Sequence, residues 1–149
     1  MVKRSLVGVV VPPEERCSIC GRESDELYTC LRCRRLVCNS CVGERGYCRD
    51  CELILKAVRK NLEIELNYVR WCMERMAETV EQRSECVRCW CLRELSISLL
   101  KTIRGVKSSS LKNGFEDLER EAEKLEKALT QVCAVLILAG RGASPGKAA

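Results

Sequence analysis

Hydrophobic residues follow two different regimes along this chain of 149 residues, and the change falls near residue 52. From Glu52 onward no glycine occurs before Gly105 and no proline before Pro145. Within that stretch Leu62, Leu66, Val69, Met73, Met76 and Val80 recur at intervals of three and four, the repeat of one helix face. The stripe weakens at Arg83, Ser84 and Glu85, then resumes through Val87, Trp90, Leu95, Ile97 and Leu100. With no helix-breaking residue in 52–104, that span reads as one long helix of about 80 Å. A kink near 83 is its variant, with Ser84 able to cap a second helix.

"GVKSSSLKNG" then interrupts the pattern, and its glycines and serines predict a linker over 105–113. Beyond it Phe115, Leu118, Ala122, Leu125, Leu129, Val132, Leu136 and Ala139 alternate intervals of three and four, a heptad seam on a helix over 114–140. "VCAVLILAG" at its end is apolar on every face, so this end is expected to be the most deeply buried. Gly140 closes the helix and 141–149 reads as a disordered tail. The seam could close an antiparallel hairpin along 80–104 or join two chains. A hairpin alone would leave the stripe on 55–80 uncovered, so a homodimer is the expectation.

Before residue 52 the regular element is cysteine. Residues 17–51 carry four C-x-x-C pairs: Cys17/Cys20, Cys30/Cys33, Cys38/Cys41 and Cys48/Cys51. The full count of thirteen is odd, no export signal precedes it, and disulfide frameworks do not repeat one spacing four times in so short a span. Lys3 and Arg4 precede an apolar run, but Pro12 and Pro13 follow where a cleavage site would lie, so 1–13 reads as a tail or short strand. Metal ligation is the better reading. Each C-x-x-C turn supplies two thiolates to a tetrahedral ion, so four turns in 14–51 make two closed zinc sites, with no histidine in the chain to compete. Which pairs share an ion is left open by spacing, since pairing in sequence or in alternation fits equally.

The order C-x2-C-x9-C-x2-C-x4-C-x2-C-x6-C-x2-C resembles the cross-brace zinc fingers, the group holding RING, PHD, FYVE and B-box domains. RING domains have a shorter gap between the second and third pairs, and PHD and FYVE domains a longer last loop. FYVE domains also carry a basic lipid-binding motif where this chain has Asp25, Glu26, Leu27 and Tyr28. The short last loop, "LYTC" and "LVCNSC" are most similar to a B-box, although Cys48 and Cys51 stand where a B-box has histidines. The resemblance implies alternation: Cys17, Cys20, Cys38 and Cys41 on one zinc, and Cys30, Cys33, Cys48 and Cys51 on the other. A finger followed by a long helix is also similar to the order of parts in tripartite-motif proteins.

Composition narrows the function. Hydrophobic residues reach 46% but aromatics only 4%, which suits packed helices. The formal charge of +5 suggests an acidic partner. Each four-thiolate zinc site carries about −2, however, which brings the total near +1. Arg32, Arg34 and Arg35 could meet phosphates but have no aromatic platform beside them. "CVRCWC" offers Cys86, Cys89 and Cys91 as a third metal site, although a continuous helix would point Cys91 away from Cys86. Cys72 and Cys133 suit small core positions. With no histidine base, no free paired thiols and no phosphate loop, no enzyme is expected. Few amides beside abundant charged residues hint at a thermophile. The expectation is a mainly α protein: a small two-zinc cross-brace module with short β-hairpins, a long helix and an antiparallel coiled-coil helix. Its expected role is protein–protein interaction and scaffolding in the cytoplasm or nucleus. An adaptor in ubiquitin-type ligation, with Ile19 as its apolar contact, and a nucleic-acid- or ribosome-associated zinc protein are the alternatives.

Overall fold

Two three-residue strands form among the described residues, and both lie within the cysteine-rich segment. In the computed structural model, which describes residues 16–141, β1 (Leu27–Thr29) and β2 (Leu36–Cys38) precede α1 (Arg49–Gln82). A 3-10 turn (Ser84–Arg88), α2 (Trp90–Asn113) and α3 (Glu116–Arg141) follow, so the chain is mainly helical as expected. The tail or strand expected over 1–13 and the tail over 142–149 lie outside the described residues. Two compact units divide between Val58 and Arg59.

In the first unit the strands pair antiparallel, Leu27 with Cys38, Tyr28 with Val37 and Thr29 with Leu36. Val37 is fully buried, and Ile19, Leu27, Val42 and Tyr47 pack against the buried cysteines. So small a core holds few branched side chains, and sulfur fills most of it.

In the second unit α1 from Arg59 onward buries Leu62, Leu66, Val69, Cys72 and Met76. The single long helix expected over 52–104 does not form. α1 stops at Gln82, Arg83 leaves helical geometry at φ −140°, and Cys89 is extended before α2 begins. The physical reason lies in the polar run from Glu81 to Glu85, which has no apolar face to bury, so the chain reverses there instead of extending into water. Opposite directions follow from the contacts. Arg104 and Lys107 of α2 reach Glu126 of α3, and Arg93 lies against Gly140, so α2 and α3 are antiparallel. Arg59 and Arg70 of α1 pair with Asp117 and Glu121 of α3, so α1 and α3 run the same way.

The linker expected over 105–113 is also helix. α2 continues to Asn113 because its buried face, Leu92, Ser96, Leu99, Ile103, Val106 and Ser110, repeats at four and three with serine at two positions. Gly105 lies on the exposed side of that helix. Gly114, at φ 73°, ends it, and the Phe115 N–H donates to the Ser110 carbonyl at 2.9 Å in a left-handed cap. The stripe expected through Trp90, Leu95, Ile97 and Leu100 is therefore not the core face, and Trp90 is 65% exposed.

On α3 the seam residues Leu118, Ala122, Leu129 and Leu136 are buried within the chain, joined by Cys133 and preceded by Phe115. Its end departs from expectation, since Val135 and Leu138 are 58% and 66% exposed. Leu62, Leu66, Val69 and Met76 of the α1 stripe are buried within the single chain, so a second chain is not needed to cover them.

Candidate metal centre

The hairpin sets the spacing of the thiols. The second C-x-x-C pair, Cys30 and Cys33, occupies its tip, whereas Cys38 ends β2 at its base. Three strand residues span about 10 Å, so tip and base cannot share one ion. The first pair joins the base, where the Ser18 N–H donates to the Leu36 carbonyl at 2.9 Å. The fourth joins the tip, through Leu31 N–H to the Gly46 carbonyl at 3.0 Å and Cys48 N–H to Cys30 Sγ at 3.2 Å.

The result is two groups of four sulfurs, each with its members within 4.8 Å of one another: Cys17, Cys20, Cys38 and Cys41, then Cys30, Cys33, Cys48 and Cys51. This is the alternating arrangement that the cross-brace resemblance implies. Cys20 and Cys38 Sγ lie 3.7 Å apart, and Cys33 and Cys48 Sγ 3.8 Å. A tetrahedron with metal–sulfur bonds of about 2.3 Å has edges of about 3.8 Å, so the donor set and its spacing are compatible with two zinc ions.

Each pair is built by a local device. Behind Cys17 the Gly21 N–H returns to the Cys17 carbonyl at 2.9 Å, with Gly21 at φ 71°. Arg34 does the same behind Cys30, at 2.9 Å and φ 65°, where a side chain is strained. Cys41 and Val42 N–H groups both close on the Cys38 carbonyl. Cys48 and Cys51 belong to the entry of α1, where Glu52 N–H donates to the Cys48 carbonyl at 3.0 Å. The positive end of the helix dipole there favours thiolate.

Electrostatics divides each group. Burial pushes the Cys41 and Cys51 thiols up to about 12, with neighbouring sulfurs adding to it. The Arg35 side chain, helped by its own backbone N–H, draws Cys33 down to about 6. Burial acts to raise Cys17, yet N–H groups of Cys20, Cys38 and Ile19 together hold it near 6. Cys30 is lowered against the same burial by N–H groups of Cys33, Cys48 and Arg32. Four thiolates in one group would need a cation to coexist, and a soft divalent ion would supply that charge. Arg35 Nε donates to Cys33 Sγ at 3.3 Å, a second nitrogen reaches Cys48 Sγ at 3.7 Å, and Asp50 holds the guanidinium at 3.0 Å. Arg35, which the sequence offers to phosphates or to offsetting thiolate charge, is committed to the sulfurs; the role of Asp50 was missed, and only its place in α1's first turn could have hinted at it.

The other cysteines separate. Cys72 and Cys133 are buried in the helical unit, Cys86 and Cys89 are half-buried, and Cys91 is exposed. Among the described residues no third group gathers sulfurs as the first two do, so the third site offered by Cys86, Cys89 and Cys91 is not assembled. No described helix is long and apolar enough to cross a membrane. No family model, no curated protein and no solved structure matches this chain.

Proposed function

We propose that this protein is a noncatalytic, zinc-dependent interaction protein: a B-box-like cross-brace finger joined to a helical scaffold that docks partners. The alternating pair of four-sulfur groups carries the reading. The eight cysteines from Cys17 to Cys51 would hold two zinc ions, whose role is structural because every coordination position is thiolate. Zinc would supply the cohesion that so small a core lacks. A reducing compartment, cytoplasm or nucleus, suits so many unpaired thiols.

Support for docking comes from the helical unit. An apolar groove of about 480 Å3 is lined by Met73, Met76, Val80, Val132 and Val135, among others. Exposed Leu138 extends the apolar surface of α3 beside Val135. Such a groove fits the apolar face of a partner helix. A homodimer through the same face remains part of the proposal, resting now on this groove and not on an uncovered α1. The ubiquitin-type reading loses support because Ile19 packs against the sulfur core. The nucleic-acid reading loses Arg35, which is committed to Cys33, Cys48 and Asp50.

Elemental analysis of protein purified without chelator tests the metal, with about two zinc ions per chain expected and fewer than about 1.5 overturning it. Sedimentation and capture from host extract, comparing wild type with Val135→Glu/Leu138→Glu, test the docking. Loss of a partner or of the dimer with zinc content intact supports the groove; unchanged capture and mass refute it.

A further inference from the structure

α1 carries a second apolar face that the described residues leave open. Ile64, Tyr68 and Trp71 stand at intervals of four and three, and each is more than half exposed. At about 100° per residue they share one side of the helix, roughly opposite buried Leu62, Leu66, Val69 and Met76. A single exposed apolar side chain is ordinary on a protein surface. Three in helix register are not, least of all when a chain with so few aromatics places a tryptophan and a tyrosine there. Arg75 lies over the Trp71 ring at 5.5 Å and is itself held by Glu78 at 2.8 Å, so the indole is kept at the surface.

The charges beside this face decide what fits it. Arg59, Arg70 and Arg75 each pair with an acid of the same chain. Lys60 and Glu74, both exposed on one flank of the stripe, have no ion pair among the described residues. Each lies seven residues from Asn67, about 10 Å along the helix axis in opposite directions. Two copies of α1 crossing antiparallel at Asn67 would set Lys60 of each against Glu74 of the other. The same crossing would bring Ile64 of each beside Trp71 of the other, and the twofold axis makes every contact twice. A parallel pair would set lysine on lysine and glutamate on glutamate, which costs where the first arrangement gains.

We propose that this face joins two copies of the chain, α1 against α1 and antiparallel, with Ile64, Tyr68 and Trp71 as its apolar centre and Lys60 and Glu74 as its register. The groove lies on the other side of α1, at Met73 and Met76, and stays open to its own partner.

The test starts from the full zinc-loaded chain carrying Val135→Glu/Leu138→Glu, in which association through the groove is removed. Sedimentation up to about 100 µM should show a dimer. Adding Ile64→Glu/Trp71→Glu, at two exposed positions, should give a monomer with helicity and zinc content unchanged. Lys60→Glu and Glu74→Lys should each weaken the dimer about tenfold, and the two joined in one chain should restore it. A parallel pair would ignore all three charge variants. A monomer at the start, a dimer that survives Ile64→Glu/Trp71→Glu, or single charge reversals without effect would each overturn the proposal. Capture by the groove is read separately, so its failure and the failure of this interface are distinct results.

Discussion

Ser110 is fully buried on α2, and its hydroxyl has no hydrogen-bond partner. Ser96, equally hidden on the same face, donates its hydroxyl to the Arg93 carbonyl at 2.8 Å. The two serines therefore form an internal control. An orphaned buried hydroxyl costs about 1–3 kcal/mol, and alanine gains roughly 0.5 kcal/mol over serine in helix propensity. A small rotation could let Ser110 bond back one turn, which places the gain from Ser110→Ala at about 1–2 kcal/mol. Ser96→Ala loses a satisfied bond and gains the same propensity, so it should stay within about 0.5 kcal/mol of wild type. Urea unfolding followed by helical circular dichroism, with zinc present, is the assay. The Ser110→Ala midpoint should rise by about 0.5–1 M at unchanged slope. A lowered midpoint, or an equal gain from Ser96→Ala, would refute the reasoning, because both serines would then be responding to propensity or packing alone.

Gly114→Ala should destabilise by about 1 kcal/mol, read as a lower urea midpoint, because an added Cβ meets nothing but the backbone would stay left-handed. Glu126 is held below its ordinary value of 4.5 by Lys107 first and Arg104 second. Its contribution is thus complete above 4.5 and lost as pH falls through the lower folded value, so Glu126→Gln should flatten the acid limb of the stability curve relative to wild type. Replacing Cys17 and Cys20 by serine should remove one cobalt–thiolate site and leave the other spectroscopically normal, whereas loss of both would contradict the alternating grouping. Leu129→Ala, at a fully buried position, should cost about 2–5 kcal/mol by thermal or urea unfolding, clearly more than Leu125→Ala at a half-buried one.

The sulfur groups were legible because ligand chemistry imposes residue type and spacing together; eight cysteines in C-x-x-C pairs leave little else to infer. Their grouping was not set by spacing, since it depends on a hairpin only three residues long on each side, and only the cross-brace resemblance pointed to the alternation found. The α1 stripe was readable because every buried position from Leu62 to Met76 is apolar or cysteine. The α2 stripe was hidden because Ser96 and Ser110 occupy it, and "KSSSLKN" reads as linker when serine is assumed to face water. The polar run near 83 marked a break, but that the chain reverses over 83–89 needed tertiary information, since no glycine or proline marks a turn there. The exposed end of α3 shows the limit of hydrophobicity as a burial signal: Val135 and Leu138 are as apolar as Leu136, yet only Leu136 is buried.

Cys48 and Cys51 lie at the entry of α1, and that placement bears on how the helix starts. Fixing a first helical turn is unfavourable by a factor of about a thousand, or roughly 4 kcal/mol, before any further residue adds its hydrogen bond. A metal held by both thiols, together with Cys30 and Cys33, would pin the dihedral angles of that turn from outside the helix. Cysteine is a poor capping residue, so ligation would stand in for the side-chain oxygen that begins most helices. The zinc supply of the cell would then set when α1 can nucleate, and growth would proceed from the sulfur-bound end toward Gln82.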